Sequence, residues 1–343
     1  MDMDLFRYET LTGIIRDFEP EDLNWLNAGV LAEESGMGQE VTWDIKHVRR
    51  DVDKFERRHS PAGPRDLTVL GTQHATLAKT FKFKPLIGDM WLDLRQPGTL
   101  ERQTLMENQM ALELEDFAML MARQDNFLIS QCLQGSISMQ FGEQTINVSY
   151  GIPASNVFAP GAAVPNVSQS IPTNWEDPSA DILTDIKNMK LAISRNSGRT
   201  AKFAWISSRG MTALLNNENV REFVGRSVVG AQILEQGYVS NLLGLNWRIS
   251  DETYTDATGA TVTPYLNEKN IVIHPAPDRE WGCFRICSAT VPKNDGSGLV
   301  EVIGKYAYSG VEKNPAAIML YSGYVRLPLL KIPAAVVTAQ VIV

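Results

Sequence analysis

From Thr99 to Gln134 the chain carries no proline or glycine, and Met106, Met110, Leu114, Phe117, Met121, Leu128 and Cys132 recur at steps of three, four or seven. That period lays one continuous apolar stripe along a helix. Pro97-Gly98-Thr99 supplies a turn and an N-cap before the stripe, and Gly135 a stop after it. At ~1.5 Å per residue, a helix over 99–134 is roughly 54 Å long, longer than most globular cores need. With no second helix of equal length in the sequence, it reads as a structural spine. Its methionines read as core filling rather than as a copper or cofactor site, because Met fills irregular gaps well.

Elsewhere the period falls to two. VTWDIKHV (41–48) and TLAKTFKFKP (76–85) alternate apolar with polar positions, and HSPAGPRD (59–66) between them is turn chemistry. A two-stranded ribbon over 41–84 buries too little to stand alone and must lie on something else. SISMQFGEQTINVSYG (136–151) predicts a hairpin, and the Pro-, Ser- and Asn-rich 151–177 a surface loop. An amphipathic helix follows over 178–197, then a buried strand KFAWIS (202–207) and one helix over 208–224. LNWRIS (245–250), a hairpin over 253–266 and NIVIHP (270–275) complete an α+β region, and the last fifty residues alternate strand-like runs with glycine turns. Residues 1–40 show only a short helical hint in FEPEDLNWLNAGVLAEE (18–34).

The 343 residues suggest two domains, and a net charge of −8 argues against a protein whose main surface coats nucleic acid. Divided along the chain, the charge is more informative. Residues 1–40 hold ten acidic and two basic side chains, whereas 41–84 hold ten basic and five acidic. One explanation is a pair of solvated faces. The sharper one is that an acidic arm (Asp17, Glu19, Glu21, Asp22) meets the basic ribbon (Arg49, Arg50, Arg57, Arg58) of a neighbouring subunit. Exposed pairs are worth only about 0.2–1 kcal/mol each, so the effect would be on register and assembly rate. Three cysteines, an acidic start and the lack of a long apolar run predict a soluble intracellular protein without disulfide framework, signal peptide or membrane span.

No chemistry-bearing motif is present. The run from Gly298 to Gly304-Lys305 has the wrong spacing for a phosphate-binding loop, and no G-x-G-x-x-G, H-E-x-x-H or G-x-S-x-G occurs. His47, His59 and His74 lie in the basic ribbon, and His274, Cys283 and Cys287 match no standard zinc spacing. No catalytic, cofactor-binding or metal-binding residue is predicted, so the chain reads as a non-enzyme.

The order of elements, with KTFKFKPLIGDMWLDLRQPGTLERQTLMENQMALELEDFAMLMARQDNFLISQCLQGSISMQF (79–141) as its strongest stretch, resembles the major capsid proteins of tailed bacteriophages with the HK97-like fold. The branch containing the phage lambda major head protein is the most similar. Weaker echoes are AKFAWISSRGMTALLNNENVREFV (201–224) and YLNEKNIVIHP with REWGCF within 265–284. The resemblance implies an α+β capsid fold in five parts: an N-terminal arm over 1–40, an extended β-hairpin loop over 41–88, and a peripheral domain over 89–151 with the spine helix. An axial domain over 152–294 follows, and 295–343 are closing strands. It implies a head protein that self-assembles from hexamers and pentamers into an icosahedral shell around double-stranded DNA, without sequence-specific binding. A separate scaffolding protein, a portal and a decoration protein are the implied partners, with no cofactor and no membrane. The implied location is the virion, reached from the host cytoplasm. The alternatives are an encapsulin-type shell, a tail-tube or other morphogenesis protein, and an α+β enzyme with an unrecognised site.

Overall fold

The computed structural model describes residues 8–18, 23–27, 32–36, 40–46, 69–76, 79–86, 100–141, 144–160, 169–225, 238–255, 262–276, 283–294, 299–313 and 316–343. They fall into two compact units, each drawn from three stretches of chain: 1–41, 74–129 and 285–329 in the first, and 42–73, 130–284 and 330–343 in the second.

In the first unit the expected spine forms as the 35-residue helix Leu100–Gln134, about 52 Å long at 1.5 Å per residue. Met110, Leu114, Phe117 and Met121 are buried as the stripe predicts, in a core completed by Ala307, Leu320 and Tyr324 of a sheet. That sheet has six strands, with Ala32–Gly36, Phe284–Asn294, Ala316–Leu330 and Tyr306–Lys313 in spatial order; Leu299–Ile303 and Lys79–Leu86 pair alongside. A helix the sequence pattern does not predict, Tyr8–Asp17, closes the core with Leu11 and Ile15. Its own propensity is poor, with two threonines, a glycine and two isoleucines, so packing holds it. Thr12 Oγ1 donates to Ala307 O at 3.0 Å and accepts from Ala307 N at 3.2 Å. Arg16 donates to the carbonyls of Lys305 and Ile303. Among the described residues of the helical hint after it, Asn24–Asn27 are helical and Ala32–Gly36 is a strand, paired in parallel with Arg285–Ala289.

In the second unit a seven-stranded sheet runs Asn241–Leu242, Leu245–Ile249, Ala201–Ile206, Asn270–Pro275, Val337–Gln340, Val157–Pro160, Gln169–Ile171. The helix Ile182–Ser197 buries Ile186, Met189 and Ile193 in one cluster with Ala204, Ile206, Ile271 and Ile273. Each such side chain contributes about 1.5–3 kcal/mol of burial. Asp181 caps this helix by accepting from Thr184 N, later than the expected start at Pro178, and Gly198 ends it at φ 72°. The single helix expected over 208–224 is two, Ser208–Asn216 and Glu218–Gly225, interrupted by the buried Asn217. The hairpins at 136–149 and 253–264 form as expected.

One pairing differs from the sequence reading. The strands expected at 41–48 and 76–85 both exist, as Glu40–Lys46 and Lys79–Leu86, but they do not pair with each other. Glu40–Lys46 pairs with Val69–Thr76, while Lys79–Leu86 pairs over eight positions with Ile318–Val325. Alternation reveals that a strand has a buried face, but it does not name the partner.

Candidate functional site

Of the residues singled out by charge, Arg49, Arg50, Arg57, Arg58, Glu19, Glu21 and Asp22 lie outside the described residues. Asp17 is described: it is the exposed last residue of the first helix. The root of the ribbon is also described, and it is firmly held. Trp43 is buried, with its ring 6.0 Å from that of Tyr150. Asp44 Oδ1 accepts from Thr72 Oγ1 at 3.1 Å, which ties the two strands together, and Gln73 Nε2 donates to Ser149 O at 3.2 Å. The strands Glu40–Lys46 and Val69–Thr76 thus contact the end of the 136–149 hairpin and Tyr150 after it. Gly135, which joins that hairpin to the spine helix, sits at φ 99° with Ile152 Cδ1 2.8 Å from where a Cβ would lie, so glycine is required there.

The buried polar groups hold the units in shape. Asp125 sits in the apolar stripe, four residues after Met121, and is fully buried. Its Oδ2 accepts from Arg326 Nη1 at 2.9 Å and lies 3.9 Å from Lys305 Nζ. Burial pushes its carboxyl above the usual range, against the pull of Arg326 and then Lys305. Arg326 Nε also donates to Ser288 Oγ, and Tyr324 Oη to Met121 O, so helix and sheet are joined by directed bonds. The sequence reading missed this cluster. Its signal was present: the stripe skips from Met121 to Leu128 across a carboxylate, and Arg326 stands in the apolar run YVRLPLL.

In the second unit Trp175 Nε1 donates to Asp185 Oδ2 at 3.1 Å, and burial raises the Asp185 carboxyl to about 6. His274 is fully buried with both ring nitrogens engaged: Nε2 accepts from Trp205 Nε1 at 2.9 Å, and Nδ1 donates to Pro275 O at 2.7 Å. Those bonds leave neither nitrogen for a metal. Burial lowers its pKa to about 4. The unfolded chain then binds a proton first, so the stability His274 contributes is complete above about pH 6.5 and is lost as pH falls toward 4. In ¹⁵N-labelled protein its ring shifts are expected to keep the neutral pattern down to about pH 5. A midpoint near 6.5 would contradict the buried bonds.

Among the described residues no group of three or more His, Cys, Asp or Glu is placed to hold a metal, and no helix is long and apolar enough to cross a membrane. Cys132, Cys283 and Cys287 are buried and form no disulfide. The described residues form a spine helix, two large sheets, the helix Tyr8–Asp17 packed in the first unit's core, and the paired strands Glu40–Lys46 and Val69–Thr76.

The family model described as phage major capsid protein E matches residues 9–341. No curated protein matches the chain. Among solved structures, a phage-related protein from Bordetella bronchiseptica RB50 superimposes with a TM-score of 0.57 at 11% identity, covering 96% of this chain and 95% of that one. A protein from a prophage of E. coli CFT073, described as a capsid protein, gives a TM-score of 0.58 at 12% identity over 96% and 94%. At such identities the likeness is one of fold.

Proposed function

The chain belongs to the phage major capsid protein E family, with the HK97-like fold, and forms the shell of a phage particle; from that premise we propose that its acidic arm and basic ribbon are the contacts by which subunits join. In this reading residues 1–40 are the arm, 41–88 the extended loop, 89–151 with part of the closing strands 295–343 the peripheral part, and 152–294 most of the axial part of each capsomer. Hexamers and pentamers arise by ring closure of heterologous contacts, and many weak contacts sum to a stable shell. Asp17, Glu19, Glu21 and Asp22 of one subunit face Arg49, Arg50, Arg57 and Arg58 of the next. A separate scaffolding protein directs closure in the host cytoplasm, and a portal and a decoration protein complete the head. The packaged DNA is enclosed without sequence-specific contact, which suits a mildly acidic chain, and no catalytic step is assigned.

One observation supports the subunit-joining role: the strands that flank these arginines in sequence, Glu40–Lys46 and Val69–Thr76, are fixed through Trp43, Asp44 and Gln73. Fixing the root lowers the ordering cost of the contact. Expressed with its scaffold, the wild-type chain is expected to form closed shells in negative-stain images. Stacked rings or a strictly monomeric species would overturn the reading. Changing Arg49, Arg50, Arg57 and Arg58 to Glu is expected to reduce shell yield at least tenfold with unchanged circular dichroism. Normal shells from that variant would refute the electrostatic contact.

A further inference from the structure

We propose that a groove in the second unit, beside the ribbon root, is the docking site for residues 1–7 of a second copy of this chain; the proposal rests on the shell reading above. The groove encloses about 340 Å³, and its apolar floor is made by Ile45, Pro153, Ile332 and Pro333. Lys46 and Arg195 stand at its rim, both exposed, and among the described residues no Asp or Glu lines it. Neither cation is in an ion pair among the described residues. An apolar trough whose charged lining, among the described residues, is wholly cationic suits a peptide that alternates apolar and acidic positions.

The groove's walls are built in place rather than assembled around a ligand. Lys46 N donates to Lys331 O at 2.8 Å, which holds the ribbon strand against the turn Pro333–Ala335. The buried Asn156 donates to the carbonyls of Ala334 and Val336 at 2.7 and 2.8 Å, fixing that turn from beneath. Arg195 lies in the last turn of Ile182–Ser197, whose end is set by Gly198. A preformed site loses little entropy on binding.

The occupant is identified by pattern and charge. Residues 1–7 read MDMDLFR. In extended form, Met1, Met3 and Leu5 share one face, with Arg7 at its end, and Asp2 and Asp4 share the other with Phe6, successive acids being about 6.6 Å apart. The apolar face fits the floor, and the carboxylates meet Lys46 and Arg195. The segment leads directly into the helix Tyr8–Asp17, which Leu11 and Ile15 hold in the first unit's core. It is therefore presented from a fixed point on a folded body. Residues 19–22 carry similar charge but are flanked in sequence by that helix and by the buried Leu23 and Trp25. A shell offers one such segment and one such groove per subunit, so the contact repeats around every ring.

The test uses full-length chains. An Asp4→Cys chain and a Ser155→Cys chain are mixed during assembly and oxidised mildly; the native cysteines are buried and give little background. The expected result is a disulfide-linked heterodimer on a non-reducing gel when both chains are present, and none with either alone. Wild-type shells without any heterodimer would overturn the groove contact and leave the shell reading standing, whereas absence of wild-type shells would be a failure of that reading. A chain carrying both Asp4→Cys and Ser155→Cys that crosslinks within itself, while the two singly substituted chains do not crosslink to each other, would overturn the second-copy assignment. As an independent measure, a labelled MDMDLFR peptide is expected to bind the chain saturably and to lose at least tenfold affinity on Lys46→Glu with Arg195→Glu. Equal binding to both proteins would also overturn the proposal.

Discussion

Replacing Arg326 with Met is expected to destabilise the first unit by about 3–5 kcal/mol, the range for removing one partner of a buried ion pair. The Asp125 carboxylate has no access to water, and the Arg326 guanidinium, at 2.9 Å, is its nearest countercharge. Lys305 remains at 3.9 Å and offsets only part of the loss. The sign of the pH dependence is fixed by the same chemistry. Burial already raises the Asp125 carboxyl, and without Arg326 it rises further. The folded variant then takes up a proton more readily than the unfolded chain, so its deficit is largest near pH 8 and shrinks as pH falls. Changing Asp125 to Leu together with Arg326 to Met should recover most of the loss, because an apolar pair of similar size removes the desolvation cost along with the attraction. Urea midpoints across this series decide the matter. An Arg326→Met chain within 1 kcal/mol of wild type would show that the pair is not structural.

Asn217→Ala is expected to cost about 2–3 kcal/mol, from a lost helix cap and the loss of two side-chain hydrogen bonds to backbone carbonyls. Asn217 is fully buried at an extended ψ of 132° between two short helices. Its Oδ1 accepts from Val220 N at 3.1 Å, which caps the second helix, while Nδ2 donates to Pro178 O at 3.0 Å and Ala180 O at 2.7 Å. One side chain thus breaks the helix and ties the break to the segment before Ile182–Ser197. Ser at this position keeps a cap but not the two donors, so Asn217→Ser should lie between wild type and Ala. Asp keeps the cap but turns a carboxylate toward two carbonyls, and should be at least as costly as Ala. If Ser and Ala behaved alike, the cap would carry none of the effect.

Asn217 also shows why the helix over 208–224 was misread. SRGMTALLNNENVREFV has helical spacing from end to end, and an Asn is compatible with a surface helix. Only the carbonyls of Pro178 and Ala180, some 37–39 residues away, make the break worthwhile. The first helix failed in the opposite sense: its local pattern is weak, and its reason to exist is the apolar stripe of a helix a hundred residues later. Asp125 was legible as an interruption of that stripe, but its partners Lys305 and Arg326 are about two hundred residues distant. The basic ribbon shows the remaining limit. Alternation located the strands ending at Lys46 and beginning at Lys79, yet hydrogen bonding sends them to different partners.

The sequence by itself determined the elements whose information is local: the spine helix and its buried face, the 136–149 hairpin, the glycine stops at Gly135 and Gly198, the buried strands around KFAWIS and NIVIHP, and the charge split between arm and ribbon. Periodicity and turn chemistry act over a few residues and can be read directly. Tertiary structure alone decided which strand lies beside which, which polar residue is buried with which partner, and that the groove under the ribbon root gathers Lys46, Arg195 and Pro333 into one site. Those outcomes depend on desolvation and hydrogen-bond satisfaction between segments far apart in the chain, and a one-dimensional pattern carries no measure of either.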